Sequence, residues 1–187
     1  KKKYHQLVDD HKKEKKFALK LKKLWDDHPK HIRLYFTFYS ELVADLAIAH
    51  GRLKEYQKAL DVLEDLESLA EDMKININKA VSESLMHFLV KTRLWVYNRS
   101  GNSEKALELI AGIESDIKES KEAGSKFWAP LYFSISVSCF IAQDHRNALY
   151  WINEILIDLK GDVRHDLQAM TRMLFLIIHL DLENNEL

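Results

Sequence analysis

The chain writes one turn three times. "RLKEYQKALDVL" begins at Arg52, "SGNSEKALELI" at Ser100 and "QDHRNALYWINEI" at Gln143. Aligned on Ala59, Ala106 and Ala148, the copies are 47 and 42 residues apart. Twelve positions before these alanines stand Ala47, Leu94 and Ser136, and four before those stand Val43, Val90 and Tyr132. His50, Tyr97 and Cys139 follow the first set by three, and Leu63, Ile110 and Ile152 follow the alanines by four. The unit is a helix, a turn and a second helix. A small residue in the second helix lets the first approach closely, and the apolar positions around it form the shared core. A chain built this way buries its surface by stacking copies.

Around that repeat the pattern is helical throughout. Five glycines and two prolines in 187 residues are too few for many sheet turns. No stretch sustains the alternation of a strand. Eight helices are expected in an all-α fold and one domain. A basic helix occupies 1–30, where Tyr4, Leu7, Val8, His11, Ala18, Leu21 and Trp25 share a face before Pro29 and its polar neighbours end it. Helix pairs follow at 31–72, 78–121 and 125–159, and residues 162–187 hold an incomplete fourth repeat. Its first-helix core positions read as Met173, Leu176, Ile177 and Leu180. Connectors fall at "MKININK", "KEAGSK" and "KGD". Gly51 is expected to stop the helix before the first turn, and Ser103 to cap the helix after the second. Trp128 to Ala142 is apolar on nearly every side, which marks a central helix, with Pro130 in its first turn.

At these residues the sequence resembles the tetratricopeptide repeat family. The fullest match is "VKTRLWVYNRSGNSEKALELI", where Val90, Leu94, Tyr97, Gly101, Ala106 and Ile110 fall at signature places. The chain is also similar to tetratricopeptide-like proteins of bacteria, a likeness that implies no activity. The period exceeds the family's usual length of about 34, the first-position tryptophan is missing, and no proline closes a repeat. The resemblance implies an α-solenoid, a right-handed superhelix of antiparallel helix pairs with longer helices than usual. It implies a scaffold that binds a protein or peptide on its concave face, where first helices line a groove. Carried onto this sequence, the groove residues are Ile48 and Arg52, then Lys91, Trp95, Asn98 and Arg99, then Phe133 and Phe140, with Thr171, Leu174 and Ile178 from the fourth unit. Lys91, Trp95 and Arg99 recur every four residues, so they share one helix face. An aromatic between two cations suits a ligand with an apolar anchor and a carboxylate.

Motifs for catalysis are absent. There is no glycine-rich phosphate loop, no CxxC and no GxSxG. "DDHPKH" gathers Asp26, Asp27, His28 and His31, but Pro29 interrupts helical spacing, so the cluster reads as a polar helix end rather than a metal site. No enzyme activity, cofactor or metal is expected. Cys139 is the single cysteine, which fits a reducing cytoplasm and a buried packing thiol. No apolar run is long enough to span a membrane. Residues 1–24 hold ten lysines against Asp9, Asp10 and Glu14, a surplus of seven, which leaves −8 for the rest under a net charge of −1. That asymmetry supports an alternative function, binding nucleic acid or an acidic surface through the lysine-rich helix. The structural expectation is a helix with its lysines in water.

Overall fold

The computed structural model describes residues 10–72, 79–119, 125–158 and 165–182. Among these residues it forms nine helices and no strand: α1 (His11–Asp26), α2 (Pro29–Leu34), α3 (Phe36–Arg52), α4 (Tyr56–Asp72), α5 (Lys79–Ser100), α6 (Ser103–Glu119), α7 (Ser125–Ile141), α8 (His145–Asp158) and α9 (His165–Asp181). The additional helix is α2. Pro29 starts it, and at Tyr35 the backbone leaves helical values (φ −126°, ψ 39°) before α3 begins. The expected helical positions Tyr4, Leu7 and Val8, and most of the expected connectors, lie outside the described residues. Where the sequence reading draws one domain, the chain divides into two compact units, Lys1–Ser100 and Gly101–Leu187. The boundary cuts the second copy of the repeated turn.

In the first unit α3 is the centre. It packs against α1, α2, α4 and α5. Its Phe36, Tyr39, Val43 and Ala47 join Ala59, Leu63, Leu66 and Ala70 of α4, with Leu89 and Val96 of α5, in one core. The four α4 residues lie on one face because their spacings are four, three and four. Arg93 of α5 reaches back to both carboxylate oxygens of Glu67 on α4. From α1, Ala18 and Glu14 are fully buried. Leu21, expected on the same face, is 40% exposed. The cross-helix bonds explain the correction. Lys15 Nζ reaches Glu55 at 2.7 Å and Asp26 Oδ1 accepts from Tyr39 Oη at 2.9 Å, so the contact face is rotated toward those residues and away from Leu21.

The repeated turn has one backbone form. Residues Lys54, Gly101 and Gln143 all have positive φ (61°, 74° and 61°), and each lies five before its repeat alanine. In the first copy Glu55 N donates to His50 O and Lys54 N to Gly51 O, at 3.0 and 2.9 Å. In the third, Asp144 N donates to Cys139 O and Gln143 N to Phe140 O, at 2.9 and 3.0 Å. This pair of bonds is the Schellman closure, with its left-handed residue just past the helix. Ala59, Ala106 and Ala148 are all fully buried, as are Ala47, Leu94 and Ser136 twelve positions earlier. The repeat register is therefore a packing register.

Two expectations at these turns change. Gly51 does not end its helix; α3 continues to Arg52, and Lys54 takes the left-handed place. A Cβ on Gly51 would stand 2.5 Å from Cζ3 of Trp95, so this glycine serves the close approach of α5. Ser103 does not cap α6. Asn102 does, its Oδ1 accepting from Lys105 N at 3.3 Å.

In the second unit α7 is central, packed against α6, α8 and α9. It starts at Ser125, so Pro130 falls inside the helix rather than in its first turn. Its serine hydroxyls are satisfied along the helix itself. Ser134, Ser136 and Ser138 donate to the carbonyls of Pro130, Tyr132 and Ser134 at 3.0, 2.8 and 2.9 Å. Cys139 is buried, and burial pushes its thiol up to about 12, an unreactive packing group. In α9 the expected register is off by one. Met173, Leu176, Ile177 and Leu180 are 62, 51, 45 and 69% exposed. Leu167, Thr171, Leu174 and Ile178 are the buried row, and Thr171, Leu174 and Ile178 are core positions rather than groove positions. Thr171 fits there because its hydroxyl donates to Leu167 O at 2.7 Å.

Candidate functional site

The expected groove residues divide between the two units. In the first, Ile48 and Arg52 of α3 and Lys91, Trp95 and Asn98 of α5 are half-buried, and Arg99 is exposed. Trp95 has one side against Gly51 and belongs to the edge of the core. Its ring also lies under the guanidinium of Arg99, 5.0 Å away, in cation–π contact. Arg52 is engaged: its Nη1 donates to both oxygens of buried Glu14, at 3.1 and 2.9 Å. One turn before Lys91, His87 is buried, and burial, assisted by the Lys91 charge, lowers it to about 4, so it is neutral near pH 7. In the second unit Phe133 and Phe140 of α7 are half-buried, and Phe140 lies 5.8 Å from the His145 ring.

A concave apolar surface lies elsewhere, at the bend between α1 and α2. Leu24, Trp25, His28, His31 and Tyr35 line a pocket of about 390 Å³. The bend builds it in steps. Asp26 ends α1, and Pro29 restarts the chain as α2, so Trp25 and Tyr35 come to face the same space. His28 N donates to Trp25 O at 2.8 Å and His31 N to His28 O at 2.9 Å, which fixes the elbow backbone. The two imidazoles stack with centroids 5.5 Å apart. Asp26 does not enter, because it accepts from Tyr39 Oη and from Lys22 Nζ, each at 2.9 Å. Among the described residues no three His, Cys, Asp or Glu side chains are placed to hold a metal.

Of the lining residues Leu24 is 60% exposed and Tyr35 51%, and in the same stretch of chain Leu34 and Phe38 are 72 and 66% exposed. Large exposed apolar side chains of this kind are the type of surface on which a partner can bury area. Its chemistry is simple. The hole accepts an apolar side chain, and the imidazoles offer a donor or acceptor beside it. The sequence places Asp26 to His31 at a polar helix end and Tyr35 and Phe38 within the next helix, with no site expected there. One signal was available. Tyr35, Phe36, Phe38 and Tyr39 crowd four aromatics into five positions, and one helix face cannot bury them all. Phe36 and Tyr39 go inside, while Tyr35 and Phe38 are left out.

The charged face of α1 is also defined. Lys12, Lys16, Lys20 and Lys23 are exposed on the side away from α3. Lys13, Lys15 and Lys22 pair with Asp10, Glu55 and Asp26. Among the described residues no helix is long and apolar enough to cross a membrane. No protein-family model, no curated protein and no solved structure matches the chain.

Proposed function

We propose that this chain is a helical-repeat scaffold that binds a protein or peptide, in the manner of a tetratricopeptide-like solenoid and without catalysis. The observation that carries the reading is the elbow pocket, whose lining residues Leu24 and Tyr35 are exposed, with Leu34 and Phe38 exposed on the adjoining α2 and α3. Three helix–turn–helix copies in one packing register support the solenoid part of the reading, since stacking such copies gives a solenoid. The ligand that fits is a segment with one aliphatic or aromatic anchor for the pocket and a polar group within reach of His28 or His31. Rigid aromatics at such a site carry much of the binding energy.

The test is a peptide-display selection on the chain. Selected peptides should share an apolar anchor. Tyr35→Ala should weaken them about tenfold or more, with the melting temperature unchanged. Trp95→Ala separates this site from the groove around Trp95. Peptides that ignore Tyr35→Ala and Leu24→Asp but lose affinity with Trp95→Ala would move the site to the α3–α5 face.

A second reading rests on the exposed row Lys12, Lys16, Lys20 and Lys23, which would attract nucleic acid or an acidic surface. Its signature is salt dependence. Binding of duplex DNA that falls steeply between about 50 and 200 mM salt, and disappears when these four lysines become glutamine, would favour it over peptide binding.

A further inference from the structure

We infer that α9 is an interface between two copies of this chain. In the register of the buried residues, Ile178 occupies the place of Ser136 and Ala47, and Leu174 that of Tyr132 and Val43. The corresponding face can then be compared along the repeat. In α3 it is Leu42, Leu46 and Ala49, and in α7 Leu131, Ile135 and Ser138, all buried. In α9 it is Met173, Ile177 and Leu180, and these are 62, 45 and 69% exposed. Met170, on the same stripe, is 46% exposed where Tyr39 and Trp128 are buried. A face that other helices of the fold cover with neighbours is bare here.

Two features select a second copy as the occupant. Met170, Met173, Ile177 and Leu180 are spaced three, four and three, the a/d seam of a helix pair. Laid antiparallel on itself, that seam is self-complementary. Met170 meets Leu180 of the other copy while Met173 meets Ile177, and the two-fold axis repeats both contacts. No charge falls on the seam; Arg172 and Asp181 flank it. The second feature is size. With Leu176 (51% exposed) the stripe has five large apolar residues. At on the order of 80–100 Å² each, a symmetric pair removes about 900 Å² from water, the low end of interface sizes and that of a weak dimer.

The test is sedimentation of the chain across about 1–200 µM, a range that spans a modest dimer affinity. Dimer is expected. Met173→Glu with Leu180→Glu should weaken association about a hundredfold, with the helical circular dichroism signal retained. Both positions are exposed, so folding of the monomer is not at stake. A mixing experiment fixes the geometry. Met173→Cys protein mixed with Ile177→Cys protein should form an oxidised heterodimer faster than either variant links to itself, while buried Cys139 stays reduced. A chain that is monomeric throughout the range, or a dimer indifferent to the double glutamate variant, overturns the inference. A monomer would leave this face to a helix of another protein.

Discussion

The turn at Lys54–Glu55 and the turn at Gln143–Asp144 have the same backbone and different side-chain work. In the later turn Asp144 caps its own helix, Oδ1 accepting from Asn147 N at 3.2 Å and Oδ2 from Asn147 Nδ2 at 2.7 Å. In the earlier turn the equivalent Glu55 leaves its helix start and holds α1. Its carboxylate takes Lys15 Nζ at 2.9 and 2.7 Å and His50 Nδ1 at 2.6 Å. Beside it Arg52 meets Glu14, while the corresponding place in the later turn is Ile141, 43% exposed. Gly51 corresponds to Phe140. The same closure thus serves two ends. In the earlier turn Arg52 and Glu55 serve the docked α1; in the later turn Asp144 serves its own helix, and His145, with Nε2 2.9 Å from Asp181 Oδ2, turns toward a neighbour, α9.

The largest expected effect breaks the dock. Arg52→Met leaves fully buried Glu14 without its guanidinium, a loss of about 3 kcal/mol. Pairing it with Glu14→Leu should recover most of that loss, because replacing both partners removes the buried charge. Ile141→Ala, at the equivalent exposed place, should stay within about 0.5 kcal/mol. Chemical denaturation of the variants measures all three. Equal losses at the two turns would show that they do the same work.

Next in size is Gly51→Ala. The added methyl group meets Trp95 at 2.5 Å, and a half-buried indole between Gly51 and Arg99 has little room to retreat. Overpacking of this kind costs about 1–3 kcal/mol. Thermal melts should show the loss, and Gly51→Ala with Trp95→Leu should regain part of it. A neutral Gly51→Ala would mean that α3 and α5 are farther apart than described.

The contrast between turns was only partly legible in the sequence. Repeat alanines and the residues twelve before them could be read because small and apolar residues recur at fixed distances. Asn102 and Asp144 are caps by residue type, although Ser103 competed for the first place. Glu14 carried no signal: it stands among lysines, and its partner Arg52 is 38 residues away. The left-handed places at Lys54 and Gln143 were hidden because neither is glycine. In α9, Met173, Leu174, Leu176, Ile177 and Ile178 are apolar all round, so periodicity alone could not choose a face. Only Thr171, with its hydroxyl bonded back to the helix, distinguishes the buried row. The elbow pocket depends on a bend that brings Trp25 and Tyr35 together, which no local spacing encodes.

The two acidic residues at the turns should separate by readout. Asp144→Ala removes a helix cap, at about 1 kcal/mol, and should loosen the first turn of α8. Glu55→Ala should instead release α1, read as faster amide exchange across His11–Asp26 with α4 little changed. Acid provides an independent check. Hydrogen bonds from Lys15 and His50 lower Glu55 from its ordinary value of 4.5 to about 2. A carboxylate with a depressed folded value stabilises the dock above about 4.5, and that contribution is lost as pH falls toward 2. Amide protection of α1 should therefore fall in that window in the native chain and show no such step in Glu55→Ala. Identical acid profiles would remove Glu55 from the dock.

The smallest effect concerns the backbone that the turns share. Lys54 and Gln143 both have φ 61°, a conformation in which a Cβ crowds the following carbonyl. Gly101 occupies the same place at φ 74° without that crowding. Lys54→Gly and Gln143→Gly should each relieve the strain, partly offset by the greater freedom of glycine in the unfolded chain, for a net gain of about 0.5–1 kcal/mol. Gly101→Ala should lose a similar amount. Neither Lys54 Nζ nor the Gln143 amide makes a hydrogen bond among those described at the two turns, so the gains should be alike even though the neighbouring carboxylates work differently. Lys54→Gly and Gln143→Gly are far apart in sequence and share no partner, so their effects should add in the double variant to within about 0.5 kcal/mol. A stabilising Gln143→Gly beside a destabilising Lys54→Gly would show that the lysine side chain also belongs to the dock.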